Sequence, residues 1–219
     1  MDRFSFTRMK LEPVAQTVFA SELRSLMEIV KYPHPALAWK STPVTRINSN
    51  LRKIVEEMFE LMYEARGIGL AANQVALPWR LFVINPTGDR DEKDAEMVFI
   101  NPEIVDRSGS EEAEEGCLSL PDVFGDVRRA ERIVVEAFDL DGNDLQFEMT
   151  ELPARAVLHE TDHVDGVMFT DRMSEIARRE LEPRLQDFED HFRRQQESGV
   201  IASDAEIKKE LERVVAEQA

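Results

Sequence analysis

The chain is poor in the residues that usually signal a chemistry. It has one cysteine and four histidines in 219 residues. A single cysteine excludes an intrachain disulfide framework and fits a reducing compartment. Nowhere do eighteen apolar residues follow one another, so no transmembrane helix is expected and no membrane partner. Positive charge is scarce: 27 Lys and Arg stand against 44 Asp and Glu, a formal net charge of −17. That deficit argues against a broad basic surface, and no direct DNA binding is expected. It does not exclude a local basic patch. The first 26 residues lack a continuous apolar h-region, so a secretory signal is not expected. Internal repeats and low-complexity segments are absent. What is present, 42% apolar residues over a length that suits one domain with tails, is enough for a sizeable core.

Against that background one pentapeptide stands out: His159-Glu160-Thr161-Asp162-His163. On a helix, positions i and i+4 lie one above the other, so both imidazoles can reach one divalent metal. Glu160 sits beside them. This is the H-E-x-x-H logic of zinc hydrolases, in which the Glu serves as general base. By itself the pattern also fits a solvated helix face with two ordinary histidines. A catalytic site of this kind needs a third protein ligand and an open position. His34, between two prolines, and His191, in a charged run, do not suggest ligands. Cys117 follows Gly116 among acidic residues and precedes the His pair by about forty positions. A lone cysteine is more often a small buried hydrophobe. A Cys117, His159 and His163 set with Glu160 beside it would make an open site that activates water.

A third segment, Gly67 to Val75, follows an amphipathic stretch from Leu51 to Arg66. Leu51, Ile54, Val55, Met58, Phe59 and Met62 share one helical face, and Gly67 is expected to stop the helix. The small residues after it would let backbone approach a ligand closely, and Gln74 could offer an amide to developing negative charge. The plain alternative is a helix cap followed by a tight turn. It is not a nucleotide loop, because the third glycine of G-x-G-x-x-G is missing.

Gly67 to Gln74, Glu115 to Ser119 and His159 to His163, in this order, resemble the peptide deformylase family. The similarity runs from about Ile29 to Met173. It implies metal ligands at Cys117, His159 and His163, and a proton shuttle at Glu160. It further implies oxyanion donors at Gln74 and the Leu118 N–H, with Ile68 and Gly69 bordering the substrate channel. The implied metal is Fe²⁺, for which Zn²⁺, Ni²⁺ or Co²⁺ substitutes. The implied substrate is an N-formyl-methionyl nascent peptide, released as formate and a free amine. Leu158, Pro153 and Val164 depart from the common family residues without touching a ligand. By position, Ile68, Leu152 and the aliphatic part of Arg155 are candidates for a methionine pocket; Leu152 fits plain core equally well. A zinc endopeptidase shares H-E-x-x-H but usually takes its third ligand downstream. A non-catalytic ribosome-binding relative would have lost a ligand or the Glu. Arg178-Arg179 and Arg193-Arg194 offer a basic spot for a transient ribosome contact, or are solvated charges balanced by neighbouring acids.

The expected fold is α+β: antiparallel or mixed strands surrounding a central metal-binding helix, with a C-terminal helix. Strands are expected at Arg80 to Asn85, Met97 to Val105, Arg132 to Phe138 and Leu145 to Met149, with a turn at Asp141-Gly142. Thr150 is expected to cap the metal helix, Glu151 to sit in its first turn, and Gly166 to end it. A helix from Ser174 to about Gln196 is expected to break or restart at Pro183, and a charged helix to run from Asp204 to Gln218. The domain reading is a disordered extension over 1–26, a catalytic domain over 27–173 and a C-terminal helical extension over 174–219. Met27 begins a stretch similar to the family N-terminus, so translation is expected to start there; a genuine loose tail is the alternative. The expected location is the bacterial cytoplasm, with little support for an organellar transit peptide.

Overall fold

A computed structural model describes residues 27–218; the expected extension over 1–26 lies outside the described residues. The described residues form an α+β fold with seven strands and four α-helices. Helix α1 (Ser49–Glu64) leads to strands β1 (Gly69–Ala71), β2 (Leu81–Ile84), β3 (Met97–Ser108), β4 (Glu111–Cys117), β5 (Leu120–Arg129), β6 (Arg132–Phe138) and β7 (Asp144–Thr150). Helices α2 (Glu151–Val164), α3 (Glu175–Glu197) and α4 (Asp204–Gln218) follow. Five strands make one antiparallel sheet in the order β1-β2-β3-β6-β7, and β4 and β5 pair as a separate hairpin.

The β1-β2 end of the sheet is covered on both faces, and β2 shows how. Its side chains alternate. Leu81 and Val83 point into a core with Leu51, Val55, Met58, Phe59 and Met62 of α1. Phe82 and Ile84 point the other way, into a core with Ala154, Val157, Leu158 and Val164 of α2. All four β2 residues are buried, which explains a continuous apolar run in place of an alternating one. Helix α2 is therefore central.

Helix α1 begins as its composition suggests, with Asn48 Oδ1 accepting from the N–H groups of Asn50 and Leu51 at 3.0 and 2.9 Å. Its end differs from expectation. The left-handed position belongs to Arg66, φ 59°, not to Gly67. Gly67 is small for another reason: a Cβ there would lie 2.7 Å from Leu118 Cδ1. At the start of α2 the Thr150 side chain makes no capping bond; Glu151 takes φ 56° and its N–H reaches the Glu131 carbonyl at 3.3 Å. Gly166, φ 76°, does end α2.

Helix α3 runs unbroken through Pro183. The proline and the Arg179 turn before it are exposed, so water can satisfy the freed carbonyl, while buried Leu185 and Phe192 hold the rest. Leu181 and Phe188 join that packing, but Ile176 is 73% exposed and lies outside it. The hairpin β4–β5 and the short strand β1 were not expected from the sequence, since their runs contain Gly, Pro and acidic residues or only small ones. The Asp139–Asn143 turn forms as expected, with Asp139 Oδ1 accepting from Asp141 N–H and Asn143 N–H, each at 2.8 Å.

Helix α4 folds back on the front of the chain. Ile207 and Leu211 pack with Phe192 and with Ala36 of a short 3₁₀ helix, Pro35–Ala38. His34 caps that helix, its Nδ1 accepting from Ala36 N–H at 3.2 Å, with its ring edge-on to Phe192 at 6.0 Å. Burial pushes His34 down to about 4, although the Asp204 carboxylate opposes this. The unfolded chain takes up a proton near pH 6.5 that the folded ring refuses, so stability is level above that value and falls toward pH 4. His34→Asn keeps an acceptor without the titrating ring. Its urea midpoint should fall less between about pH 7 and about pH 4.5 than the wild-type midpoint. Equal falls would remove His34 as the cause.

Candidate metal centre and active site

Helix α2 brings His159, Glu160 and His163 to one place, and the end of β4 delivers Cys117 to it. The ligand atoms of Cys117, His159 and His163 all lie within 4.8 Å of one another. Cys117 Sγ is 3.2 Å from His163 Nε2, and the two imidazole centroids are 4.9 Å apart. Among described residues no other such group of three was found. His34 and His191 stand elsewhere, the first as a cap and the second exposed on α3.

The cluster is buried and polar. His163 is 1% exposed and Glu160 is 4% exposed. Burial alone would raise the Cys117 thiol, but the two imidazoles outweigh it and hold the thiol well below its ordinary range. Burial would likewise lower His159; hydrogen bonds to Cys117 and Glu115 outweigh it and lift the ring to about 10. Burial raises Glu160 to about 6, with His159 and His163 pulling the other way. A soft thiolate, two imidazoles and an adjacent carboxylate are a donor set that fits a divalent metal with one face open. Glu160 Oε2 and His163 Nδ1 are both buried without a protein partner.

The cluster is held by Glu115, Arg129, Asp162 and Arg172, to which the sequence reading gave no role, and by Arg155, which it placed only in the methionine pocket. His159 Nδ1 lies 2.9 Å from Glu115 Oε2; donating there leaves Nε2 for the cluster. Glu115 also accepts from Arg129 Nε and Nη2 at 2.5 and 2.8 Å, and from Arg155 Nη1 at 2.7 Å. Burial opposes its charge, yet His159 and Arg129 keep the Glu115 carboxyl down at about 2. Arg129 Nη1 continues to Asp162 Oδ2 at 2.8 Å, and Arg172 Nη2 closes on Asp162 Oδ1 at 2.6 Å. The amide of Asn73, itself fully buried, donates to the His163 carbonyl. The one sequence signal for Glu115 is a carboxylate two residues from the candidate ligand Cys117. Arg129, Asp162 and Arg172 carry no pattern that marks them.

A cavity of about 520 Å³ opens on the cluster. Ile68, Gly69, Gln74, Leu118, Leu152, Arg155 and Glu160 all line it. Leu152 is 49% exposed, so it is cavity wall and not plain core. Arg155 offers the wall its stem, while its Nη1 also donates to the Val127 carbonyl at 3.0 Å. Phe124, unremarked in the sequence, adds an exposed aromatic face. Gln74 Oε1 accepts from Ala71 N–H at 2.8 Å, which turns Nε2 toward Cys117 Sγ at 3.4 Å and Ser119 Oγ at 3.3 Å. Gly69 has a steric role: a Cβ there would sit 2.9 Å from the Glu160 carboxyl carbon.

Fold and site together define a class, an α+β hydrolase whose central helix and a neighbouring strand present a Cys/His/His cluster with the donor set of a divalent-metal site. A model of the polypeptide deformylase family matches residues 26–179. The peptide deformylase of Rhodopirellula baltica is 44% identical over 181 residues, covering 83% of this chain and 90% of that one. That of Acidobacterium capsulatum is 49% identical over 150 residues, 68% of this chain and 88% of that one. The solved peptide deformylase of Plasmodium falciparum superposes with a TM-score of 0.74 at 35% identity, covering 76% of this chain and 97% of that one. A Legionella pneumophila peptide deformylase gives 0.69 at 37% identity, over 77% and 98%. The chain belongs to the polypeptide deformylase family. It is accordingly an enzyme, and the endopeptidase and non-catalytic readings fall away.

Breaking a buried ion pair by removing one partner typically costs about 3–5 kcal/mol. Arg129→Met should lower unfolding stability by an amount toward the lower end of that range, about 3 kcal/mol, because it removes the one guanidinium shared by Glu115 and Asp162 but leaves Arg155 and His159 to the first and Arg172 to the second. Denaturant titration measures it. A loss below about 1 kcal/mol would mean that Arg155, His159 and Arg172 suffice to hold the two carboxylates without Arg129.

Proposed function

We propose that Cys117, His159 and His163 hold a divalent metal, and that Glu160 moves the protons as the enzyme removes the N-formyl group from newly made proteins. The substrate is a formyl-methionyl peptide, and the products are formate and a free N-terminal amine. Support comes from one arrangement: three ligand atoms within 4.8 Å, beside a buried carboxylate oxygen that has no protein partner and borders the cavity.

A bound divalent ion supplies Lewis acidity and brings the pKa of water toward neutrality. Glu160 Oε2 accepts the proton of the attacking water, a task suited to a carboxyl raised to about 6. Gln74 Nε2 and the Leu118 N–H hold the oxyanion as the formyl carbon becomes tetrahedral. Glu160 then returns the proton to the amine nitrogen as the C–N bond breaks. Ile68, Leu118, Phe124 and Leu152, with the Arg155 stem, suit one linear apolar side chain such as methionine. The thiolate makes the site soft enough for Fe²⁺, with Zn²⁺, Ni²⁺ or Co²⁺ as substitutes.

No helix among the described residues is long and apolar enough to cross a membrane, in keeping with a cytoplasmic location. A transient ribosome contact through the C-terminal arginines has less support. Arg178 lies 3.4 Å from Asp171, Arg179 3.7 Å from Glu175 and Arg193 2.8 Å from Asp204, so these cations are largely balanced.

The deciding experiment is formate release from a formyl-Met tripeptide by anaerobically purified protein. Glu160→Ala should keep its metal and lose at least about 100-fold in turnover; near-wild-type turnover would remove Glu160 from the reaction. Cys117→Ser and Cys117→Asp should both shift metal preference and lower the rate. Unchanged metal content and rate in both variants would show that Cys117 is not a ligand.

A further inference from the structure

The chain just before the Pro35–Ala38 helix joins the two turns that carry the oxyanion donors. Val30 N–H donates to the Gln74 carbonyl at 2.8 Å, and Tyr32 N–H donates to the Ser119 carbonyl at 3.0 Å. Between them Lys31 Nζ donates to the Leu118 carbonyl at 2.7 Å, and Lys31 lies on the cavity wall. The direct links between the two turns are longer, 3.4 and 3.3 Å from Gln74 Nε2 to Cys117 Sγ and Ser119 Oγ. Three consecutive residues thus strap the Gln74 turn to the Cys117–Ser119 turn. Of the three bonds, only that of Lys31 comes from a side chain, so only it can be altered without touching the backbone.

Peptide units are planar, so a turn is oriented by fixing its carbonyls. The Lys31 ammonium grips the Leu118 carbonyl and the Tyr32 N–H grips the next one. With the Leu118–Ser119 and Ser119–Leu120 peptides held, only the φ and ψ rotations of Leu118 separate the anchored carbonyl from the Leu118 N–H, which limits how far that N–H can swing from the cavity. A hydrogen bond from a charged donor is about twice as strong as a neutral one, which suits it to this task. We propose that Lys31 is a positioning residue for the oxyanion site: by anchoring the Leu118 carbonyl it makes the Leu118 N–H and the Gln74 amide converge on one point. This rests on the deformylation reading above and adds to it a residue outside the three motifs.

An interaction realised only in the transition state changes kcat, whereas a substrate contact changes KM. The test uses the full chain loaded with Co²⁺, comparing wild type, Lys31→Met and Lys31→Arg on a formyl-Met tripeptide. Lys31→Met should lower kcat about tenfold, less than the ~100–1000-fold loss on deleting a donor outright. Its KM should stay within about twofold, and Lys31→Arg should recover most of the rate, because it keeps a cationic donor. The visible Co²⁺ spectrum of Lys31→Met should match wild type, reporting that Cys117 is undisturbed. An unchanged kcat, or a rise in KM alone, would overturn the proposal. So would equal loss in both variants with a lowered melting temperature, which marks a purely structural bond. Wild-type protein that releases no formate would overturn the deformylation reading itself, and that outcome is read before any variant is compared.

Discussion

The buried carboxylate of Glu115 is the constraint on which the rest of the site depends. Taking such a charge out of water is costly, and it is tolerated only when donors surround it. Here they come from two elements, Arg129 at the end of β5 and Arg155 and His159 on α2, while Glu115 itself belongs to a third, β4. One side chain therefore ties the hairpin to the central helix. The same tie sets how far Cys117, two residues along β4, stands from the two imidazoles. Apolar contacts of Leu120, Val123 and Val127 with Phe169 and Leu185 hold the hairpin down, but they are non-directional and do not set that distance.

Burial explains why α2 does not look amphipathic in the usual way. Its apolar residues Ala154, Val157, Leu158 and Val164 face the sheet. Its opposite side is also buried, yet carries Glu160, Asp162 and His163. A polar group in such a place needs a partner or a task. Asp162 has Arg129 and Arg172. Glu160 Oε2 has no protein partner and lies where the chemistry is proposed; His163 Nδ1 is also unpartnered, while Nε2 of the same ring faces Cys117. The lines between scaffold and site thus run along one helix, and polar satisfaction separates them better than exposure does.

The motif residues were legible because their chemistry is local. His159, Glu160 and His163 are spaced by the helical repeat, and Gly69, Gln74 and Cys117 lie in short runs whose residue types are unusual together. Strands β2, β3, β6 and β7 were legible because a half-covered or fully covered strand leaves an apolar record. Hairpin β4–β5 left none: acidic residues, Gly116, Pro121 and Gly125 interrupt its runs, and its pairing is sustained by contacts from α2 and α3. Pro183 misled for a related reason, since a helix anchored at Leu185 and Phe192 tolerates one missing bond on its wet side.

The sequence by itself determined the class of chemistry, the identity of the candidate ligands and the helix that presents two of them, because each depends on spacings of a few residues. Tertiary structure decided what holds them. Glu115 meets Arg129, Arg155 and His159 across separations of 14, 40 and 44 residues, and Lys31 meets Leu118 across 87. Charges and carbonyls so far apart in the chain leave no periodic signal. Their partnership exists only once the fold has brought these elements side by side.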